Sequence, residues 1–195
     1  MSKGLIGCGV IVVIALILIA TGVGSYNRLV VLDEGVDNAW GQVENVYQRR
    51  ADLVPNLVAT VKGAKEFEQE TLTQVVEARA KVGQVNFEQP PDSAQLEQFE
   101  AAQSKLSSAL SRLLVVVERY PELKATEAFR DLQAQLEGTE NRIAVERKRF
   151  NDATLAYNKA RRRFPTILLA AIMGFGDKPY FKSTPGAEKP PKVEF

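Results

Sequence analysis

The sequence predicts an all-α protein, in which an N-terminal transmembrane helix is followed by an elongated antiparallel helical bundle, four-helix-like with long helices. Residues 4–27 contain no charged side chain, and apolar residues then recur at spacings of three and four. Glycine and proline separate these stretches. We therefore expect an anchor at 1–25, a bundle domain at 26–176 and a flexible tail that contains proline and lysine at 177–195.

The anchor is predicted from residues 5–23, which are almost wholly Ile, Val, Leu, Ala and Gly. This length suffices to cross a hydrocarbon core of roughly 30 Å. A cleavable signal peptide is the main alternative because Lys3 supplies a basic start, but the run is longer than usual and has no clear Ala-x-Ala site. Lys3 and Arg28 nearly balance across the span, so charge does not decide which side the bundle occupies.

Beyond the anchor, one helical face continues without a strong breaker, so we expect one long helix or a small bend. Pro55 then predicts a kink or short break at 50–54, with Asp52 capping a second helix that runs to about Val82. The apolar positions of the first face are Leu29, Leu32, Val36, Trp40, Val43 and Tyr47.

Two further helices are predicted after a loop at 83–92, where Asp92 or Ser93 can cap the next helix. The later one is roughly 50–60 Å long at 1.5 Å per residue. The first carries a heptad-like seam of Leu96, Phe99, Gln103, Leu106, Leu110, Leu113, Val117 and Tyr120. The second carries Phe129, Leu132, Leu136, Thr139, Ile143, Glu146, Phe150, Ala153, Tyr157, Ala160 and Phe164.

The amino-acid composition argues against an enzyme and against a nucleic-acid-binding protein. The chain has 25 basic and 24 acidic residues, no histidine and one cysteine, Cys8, which lies inside the apolar segment. A near-neutral domain does not attract nucleic acid, and the commonest general base and metal ligand is absent. No phosphate-binding loop or nucleophile elbow occurs. We expect no catalytic residue, cofactor or metal.

Polar residues on the apolar faces, and charged residues near Pro55, are the candidate interaction sites. A buried carboxylate needs a partner, so we expect Glu146 to pair with Arg49, Arg50 or Arg142. For the polar residues on the apolar faces, a role in fixing helix register is favoured over a role in ligand binding. Near Pro55, capping with internal ion pairs is favoured over an anion or partner site. The candidate set is Arg49, Arg50, Asp52, Asn56, Gln103, Glu140, Asn141, Arg142 and Glu146.

An uncharged stretch at 164–176 follows three arginines at the end of the last helix. It is too short to cross a bilayer. Contact with acidic lipid or another subunit is one interpretation, and packing on the bundle's own end is the other. The candidate membrane-interface residues are Arg161, Arg162, Arg163, Leu168, Ile172 and Phe175.

Several sequence blocks together resemble the LemA family. The resemblance extends over nearly all of residues 26–181. The blocks are Tyr26-Asn27, Val36-Asp37-Asn38-Ala39-Trp40, Gln48-Arg49-Arg50-Ala51-Asp52-Leu53-Val54-Pro55-Asn56-Leu57-Val58, Glu77-Ala78-Arg79, Tyr120-Pro121-Glu122-Leu123-Lys124-Ala125, Leu136-Glu137-Gly138-Thr139-Glu140-Asn141-Arg142-Ile143, Phe150-Asn151, Tyr157-Asn158 and Phe164-Pro165.

The resemblance implies a single-pass protein of the bacterial inner membrane, with no catalytic residues to carry over and relatives tied to membrane-bound organelle biogenesis. It favours a cytoplasmic bundle, although Arg28 alone is fewer basic residues than such members often carry. We expect a scaffold that partners the lipid bilayer and forms a homo-oligomer. The alternative is an accessory subunit of a membrane protease or of envelope-stress signalling.

Overall fold

The computed structural model describes residues 3–63, 67–85, 87 and 90–182 of the chain. This part forms only helices and connecting segments, which confirms the predicted all-α class. The helices are α1 (Lys3–Lys62), α2 (Gln69–Gly83), α3 (Ser93–Val117), α4 (Pro121–Lys124), α5 (Glu127–Arg161) and α6 (Thr166–Met173).

Helix α1 is a single helix of 60 residues, which spans about 90 Å at 1.5 Å per residue. Its N-terminal part is long and apolar enough to cross a membrane, and within the described residues no other part of the chain covers that stretch. The same helix then supplies the first face of the bundle. The predicted continuity between the apolar stretch and the bundle is confirmed.

The predicted break near Pro55 is wrong, because α1 continues through it to Lys62. Pro55 has no N–H to donate to the carbonyl of Ala51, four residues earlier. The Arg79 guanidinium of α2 donates to that carbonyl instead, with Nε 3.0 Å from the oxygen. A donor from another helix therefore satisfies the acceptor that proline leaves open. Asp52 is consequently not a cap but an exposed residue inside α1, and it accepts from Gln48.

The other boundaries follow local capping chemistry. The first part of the predicted second helix belongs to α1; α2 begins at Gln69, and Ala64, assigned to that helix, lies outside the described residues. Asp92 caps α3 through a capping box with Gln95, as predicted. The one-turn helix α4 was not predicted, and Thr126 caps α5. Gly174 ends α6 with a φ of 79°, a conformation that favours glycine.

The four long helices alternate in direction, so the bundle is antiparallel. Glu68 at the start of α2 pairs with Arg119 just beyond α3, and Arg50 of α1 pairs with Glu140 of α5. Helix α5 packs along α1, and α2 packs along α3. Long polar side chains, such as Arg147 of α5 and Glu100 of α3, bridge α3 and α5.

The apolar interior forms two cores stacked along the bundle. The anchor-distal core is built from all four long helices together with Leu123 of α4. The anchor-proximal core lies where α2 has already ended, and it draws on α1, α3, α5, α6 and Phe181. Trp40 is at its centre, within 5.3 to 6.2 Å, centroid to centroid, of the rings of Phe99, Phe150 and Phe181.

Residues 177–182, predicted to be part of a flexible tail, pack against the bundle. Residues 175–182, here called the strap, run without regular secondary structure along the bundle, and Phe181 is buried. Burial of this phenyl ring beside Trp40 holds the segment in place. The packed domain therefore extends past the predicted boundary at 176. Residues 183–195 of the predicted tail lie outside the described residues.

We expect Arg79→Ala to lower the free energy of unfolding by about 1–3 kcal/mol, because the Ala51 carbonyl loses its donor. In a Pro55→Ala background the same substitution should cost clearly less, since the new N–H can donate to that carbonyl. Chemical denaturation of the full chain in detergent measures this double-mutant cycle. Arg112→Ala, which removes an exposed hydrogen bond to Gln74, is the control. An equal cost of Arg79→Ala in both backgrounds would contradict the account of Pro55.

Candidate interaction sites

Arg50 is the most deeply buried charged side chain among the described residues, with 1 % of its surface exposed. Its Nη1 donates to the Ser107 hydroxyl at 2.7 Å and to the Glu140 carboxylate at 2.6 Å. Its Nη2 donates to the side-chain and backbone oxygens of Gln103. These four residues, here called the Arg50 layer, connect α1, α3 and α5 at the boundary between the two cores.

Helical spacing explains how the Arg50 layer assembles. Arg50 is one turn beyond Tyr47 on the buried face of α1, and its guanidinium lies 5.0 Å from the centre of that ring. Burial raises the pKa of the Tyr47 phenol, while Arg147 and Arg50 oppose that rise. Gln103 occupies a seam position of α3 and is buried, as predicted for a polar interruption. The predicted residues Arg50, Gln103 and Glu140 are therefore brought together.

The partners predicted for Glu146 are wrong. Glu146 pairs with Arg149 three residues later on the same helix, at 2.8 Å. Arg50 binds Glu140 instead, because Glu140 is level with it across the α1–α5 contact. Thr139, the remaining polar interruption, donates to the Gln135 carbonyl of its own helix at 2.7 Å. Five further predicted residues are exposed and lie outside this layer: Arg49, Asp52, Asn56, Asn141 and Arg142.

A groove of about 520 Å³ opens beside the Arg50 layer between α3 and α5. Its ionic lining is already paired, because Arg50 binds Glu140, Arg147 binds Glu100 and Lys182 binds Glu97. Burial raises the pKa of Glu100, and the nearby positive charge of Arg147 opposes that rise. The groove therefore presents a balanced set of charges rather than a surplus of one sign for a charged ligand.

The strap is attached to α5 by two asparagine side chains that sequence reasoning did not single out. The Asn158 amide donates to the Lys178 carbonyl at 2.8 Å and accepts from the Lys178 N–H at 3.0 Å. Asn151 makes the same pair of bonds with Phe181, at 3.1 and 2.9 Å. Each side-chain amide thus pairs with the N–H and carbonyl of the extended strap, as the backbone of a neighbouring β-strand would.

The spacing of the two asparagines matches the strap. The seven steps from Asn151 to Asn158 along the helix rise about 10.5 Å, and the three steps from Lys178 to Phe181 span about 10 Å when extended. The sequence does contain a trace of this arrangement, since Phe150-Asn151 and Tyr157-Asn158 repeat an aromatic–asparagine pair at that interval. In each pair, the aromatic ring lies in the core and the asparagine that follows it binds the strap.

The strap also joins α5 to α1 near the anchor. The Lys178 ammonium lies 2.8 Å from the Asp33 carboxylate of α1 and 3.7 Å from that of Asp37. The Tyr157 hydroxyl donates to the Gly176 carbonyl at 3.0 Å. Burial, together with the negative charge of Asp33, raises the pKa of Tyr157 to about 12. Tyr157 therefore stays protonated and can donate this bond at neutral pH.

The predicted membrane-interface residues divide into two groups. Arg161 donates to the Phe175 carbonyl at 2.7 Å and pairs with Asp177, which Arg162 also contacts. The Phe175 ring packs edge-on against Tyr26 of α1, at 5.9 Å between centroids. Arg161 and Phe175 are thus used by the bundle's own end. Exposed residues make up the second group: Arg162, Arg163, Leu168 and Ile172.

Within the described ranges, no group of three or more His, Cys, Asp or Glu residues is placed to hold a metal ion. The single cysteine, Cys8, is an exposed free thiol on the apolar part of α1. The contacts described above are structural hydrogen bonds and ion pairs. The arrangement can transmit orientation between helices and can present surfaces to a partner.

An apolar helix of membrane-spanning length that continues into an antiparallel four-helix bundle defines a membrane-associated helical-bundle protein. Among families of known proteins, the model of the LemA family matches residues 39–195. The chain belongs to this family, and the resemblance drawn from the sequence blocks is confirmed.

Three similar proteins illustrate the range of the relatives. Magnetosome protein MamQ 2 of Paramagnetospirillum magneticum is 28 % identical over 88 % of this chain and 70 % of its own length. Magnetosome protein MamQ of Magnetospirillum gryphiswaldense is 27 % identical over 85 % of this chain and 67 % of its own. Protein LemA of Metamycoplasma hominis is 23 % identical over 76 % of this chain and 64 % of its own.

We expect Arg50→Ala to lower the free energy of unfolding by about 2–4 kcal/mol, because Gln103 and Ser107 lose their partner and a cavity forms at the helix contacts. The adjacent Arg49 is exposed, so Arg49→Ala should stay within about 0.5 kcal/mol of the parent. Denaturant titration of both full-length variants gives the comparison. Equal stabilities of the two variants would show that the Arg50 layer does not hold the helices together.

Asn158→Ala should release the strap, since Lys178 would lose both backbone hydrogen bonds. The expected loss is about 1–3 kcal/mol, with faster chymotryptic cleavage after Tyr180 and Phe181. Leu155→Ala, one turn earlier on an exposed position, serves as the control and should leave the cleavage rate unchanged. Timed proteolysis read by mass spectrometry measures the effect. Unaltered cleavage in Asn158→Ala would mean that the two amide bonds do not retain the strap.

Proposed function

We propose that this chain is a non-enzymatic scaffold of the bacterial envelope, anchored by one crossing of α1 and acting through helix-mediated association. The observation that carries the proposal is the unbroken course of α1 from the apolar stretch to Lys62. A stiff helix transmits the position of the anchor directly to the bundle. Such a connection suits organisation at a membrane better than a flexible tether would.

The chemistry of the site supports a structural role. Both terminal nitrogens of the Arg50 guanidinium bind partners within the Arg50 layer, and the charges that line the neighbouring groove are paired. A catalytic centre instead needs a nucleophile, base or metal poised towards a substrate. The printed names of the three relatives, two magnetosome proteins and one Protein LemA, state no enzymatic activity.

Association between copies is the mechanism we propose for the scaffold, at the inner membrane with the bundle in the cytoplasm. Parallel anchors in one bilayer already share an orientation, so lateral contact costs little rotational freedom. The exposed apolar residues on the sides of the bundle, including Val31, Val76, Val115 and Leu155, are scattered rather than continuous. Contact near the membrane, where the anchors hold the copies close, is therefore favoured.

Cysteine crosslinking in native membranes tests this association. In a Cys8→Ser background, Val31→Cys places a thiol on an exposed position of α1 just beyond the apolar stretch. A short bismaleimide should give crosslinked dimers through this site, and fewer through Val115→Cys at the far end of α3. A thiol at position 31 that reacts with a monofunctional maleimide but yields only monomers would contradict homo-oligomerisation. Products whose mass is not a multiple of 21.5 kDa would support the accessory-subunit alternative.

A further inference from the structure

The surface of α6 is unusually apolar for an exposed helix. Its eight residues, from Thr166 to Met173, contain no charged side chain. Ile172 is 80 % exposed, and Phe164, just before the helix, is 81 % exposed. Ile167, Leu168 and Met173 are also exposed, so five large apolar side chains are exposed within ten residues of the chain. Soluble surfaces seldom present such a group unless a partner covers it.

The position of α6 identifies what can cover it. The buried face of the helix packs against the bundle through Ala170. Phe175, directly after α6, contacts Tyr26 of α1. Tyr26 follows the apolar stretch of α1, at the level where a bilayer-spanning helix leaves the hydrocarbon. The exposed face of α6 therefore lies next to the membrane boundary that α1 itself sets.

The charges around α6 fit the same location. Arg162 and Arg163 precede it and Arg28 lies on α1, and all three are exposed. The acidic groups at this end are largely paired within the protein, since Asp177 contacts Arg161 and Arg162, and Asp33 contacts Lys178. Exposed arginines beside an apolar helical face favour the headgroup region of a membrane with anionic lipids.

We propose that α6 and Phe164 form a second membrane contact, which inserts into the lipid headgroup region beside the point where α1 leaves the bilayer. This inference rests on the proposed function, because it requires that α1 crosses the membrane. Lipid covers the exposed face of α6, and the paired contacts of the strap hold the helix against the bundle. The bundle is thus fixed at two points, which sets its rotation about α1 as well as its height.

Spin-label accessibility in nanodiscs of phosphatidylcholine and phosphatidylglycerol in equal parts tests the proposal on the full chain. In the Cys8→Ser background, nitroxides are attached at Ile172→Cys and at the control Val115→Cys, which is exposed at the far end of α3. The label at position 172 should collide more often with oxygen than with a water-soluble nickel chelate. At position 115 the order should be reversed. Leu168→Cys, one turn away on α6, repeats the measurement if the first variant folds poorly.

A third label at Ile14→Cys, on the apolar stretch of α1, separates the two hypotheses. A lipid-exposed label at position 14 together with water-exposed labels at 168 and 172 would overturn the second contact and leave the anchor intact. A water-exposed label at position 14 would overturn the anchor and with it the proposed function. Labels on α6 that are shielded from both oxygen and nickel would also overturn the proposal, because protein rather than lipid would then cover the helix.

Discussion

The buried guanidinium of Arg50 is the interaction on which the arrangement of the bundle depends. A charge without partners in a protein interior costs several kcal/mol, so α1, α3 and α5 must meet where Gln103, Ser107 and Glu140 can all reach it. A shift of one helix by a single residue moves its side chains by about 1.5 Å and rotates them by about 100°. Apolar contacts adapt to such a change, but this set of directed bonds does not.

A break in α1 beyond Arg50 would separate the far end of that helix from the register that the Arg50 layer sets. Pro55 lies only five residues later, and the Ala51 carbonyl that it leaves without a donor is bound by Arg79. One arginine thus sets the register of three helices, and a second keeps the first of those helices continuous. Both arginines lie within residues 39–195, which the model of the LemA family matches.

Periodicity predicted the helices because burial itself repeats every three or four residues, as the buried positions from Leu29 to Tyr47 and from Leu96 to Val117 demonstrate. Local rules failed where the deciding partner is remote in sequence. Proline chemistry predicts a break at Pro55, and only the folded chain brings Arg79 to the carbonyl. Similarly, Glu146 lies on the apolar face of a helical wheel, yet Arg50 forms its ion pair with Glu140 because Glu140 is the carboxylate at its level. A helical wheel gives the direction in which a side chain projects from its own helix. It does not give the level along the bundle at which a partner on another helix lies.

The strap follows from the unequal lengths of the helices. Because α2 ends at Gly83, the anchor-proximal core lacks the layer that α2 gives to the anchor-distal core, and Trp40 would be open to solvent without Phe181. The chain beyond α5 must therefore return along the bundle, and Asn151 and Asn158 hold it extended while it does so. This path leaves α6 in the connection between α5 and the strap, where it packs against α1. Closure of the core and the position of the apolar helix against α1 thus have one cause.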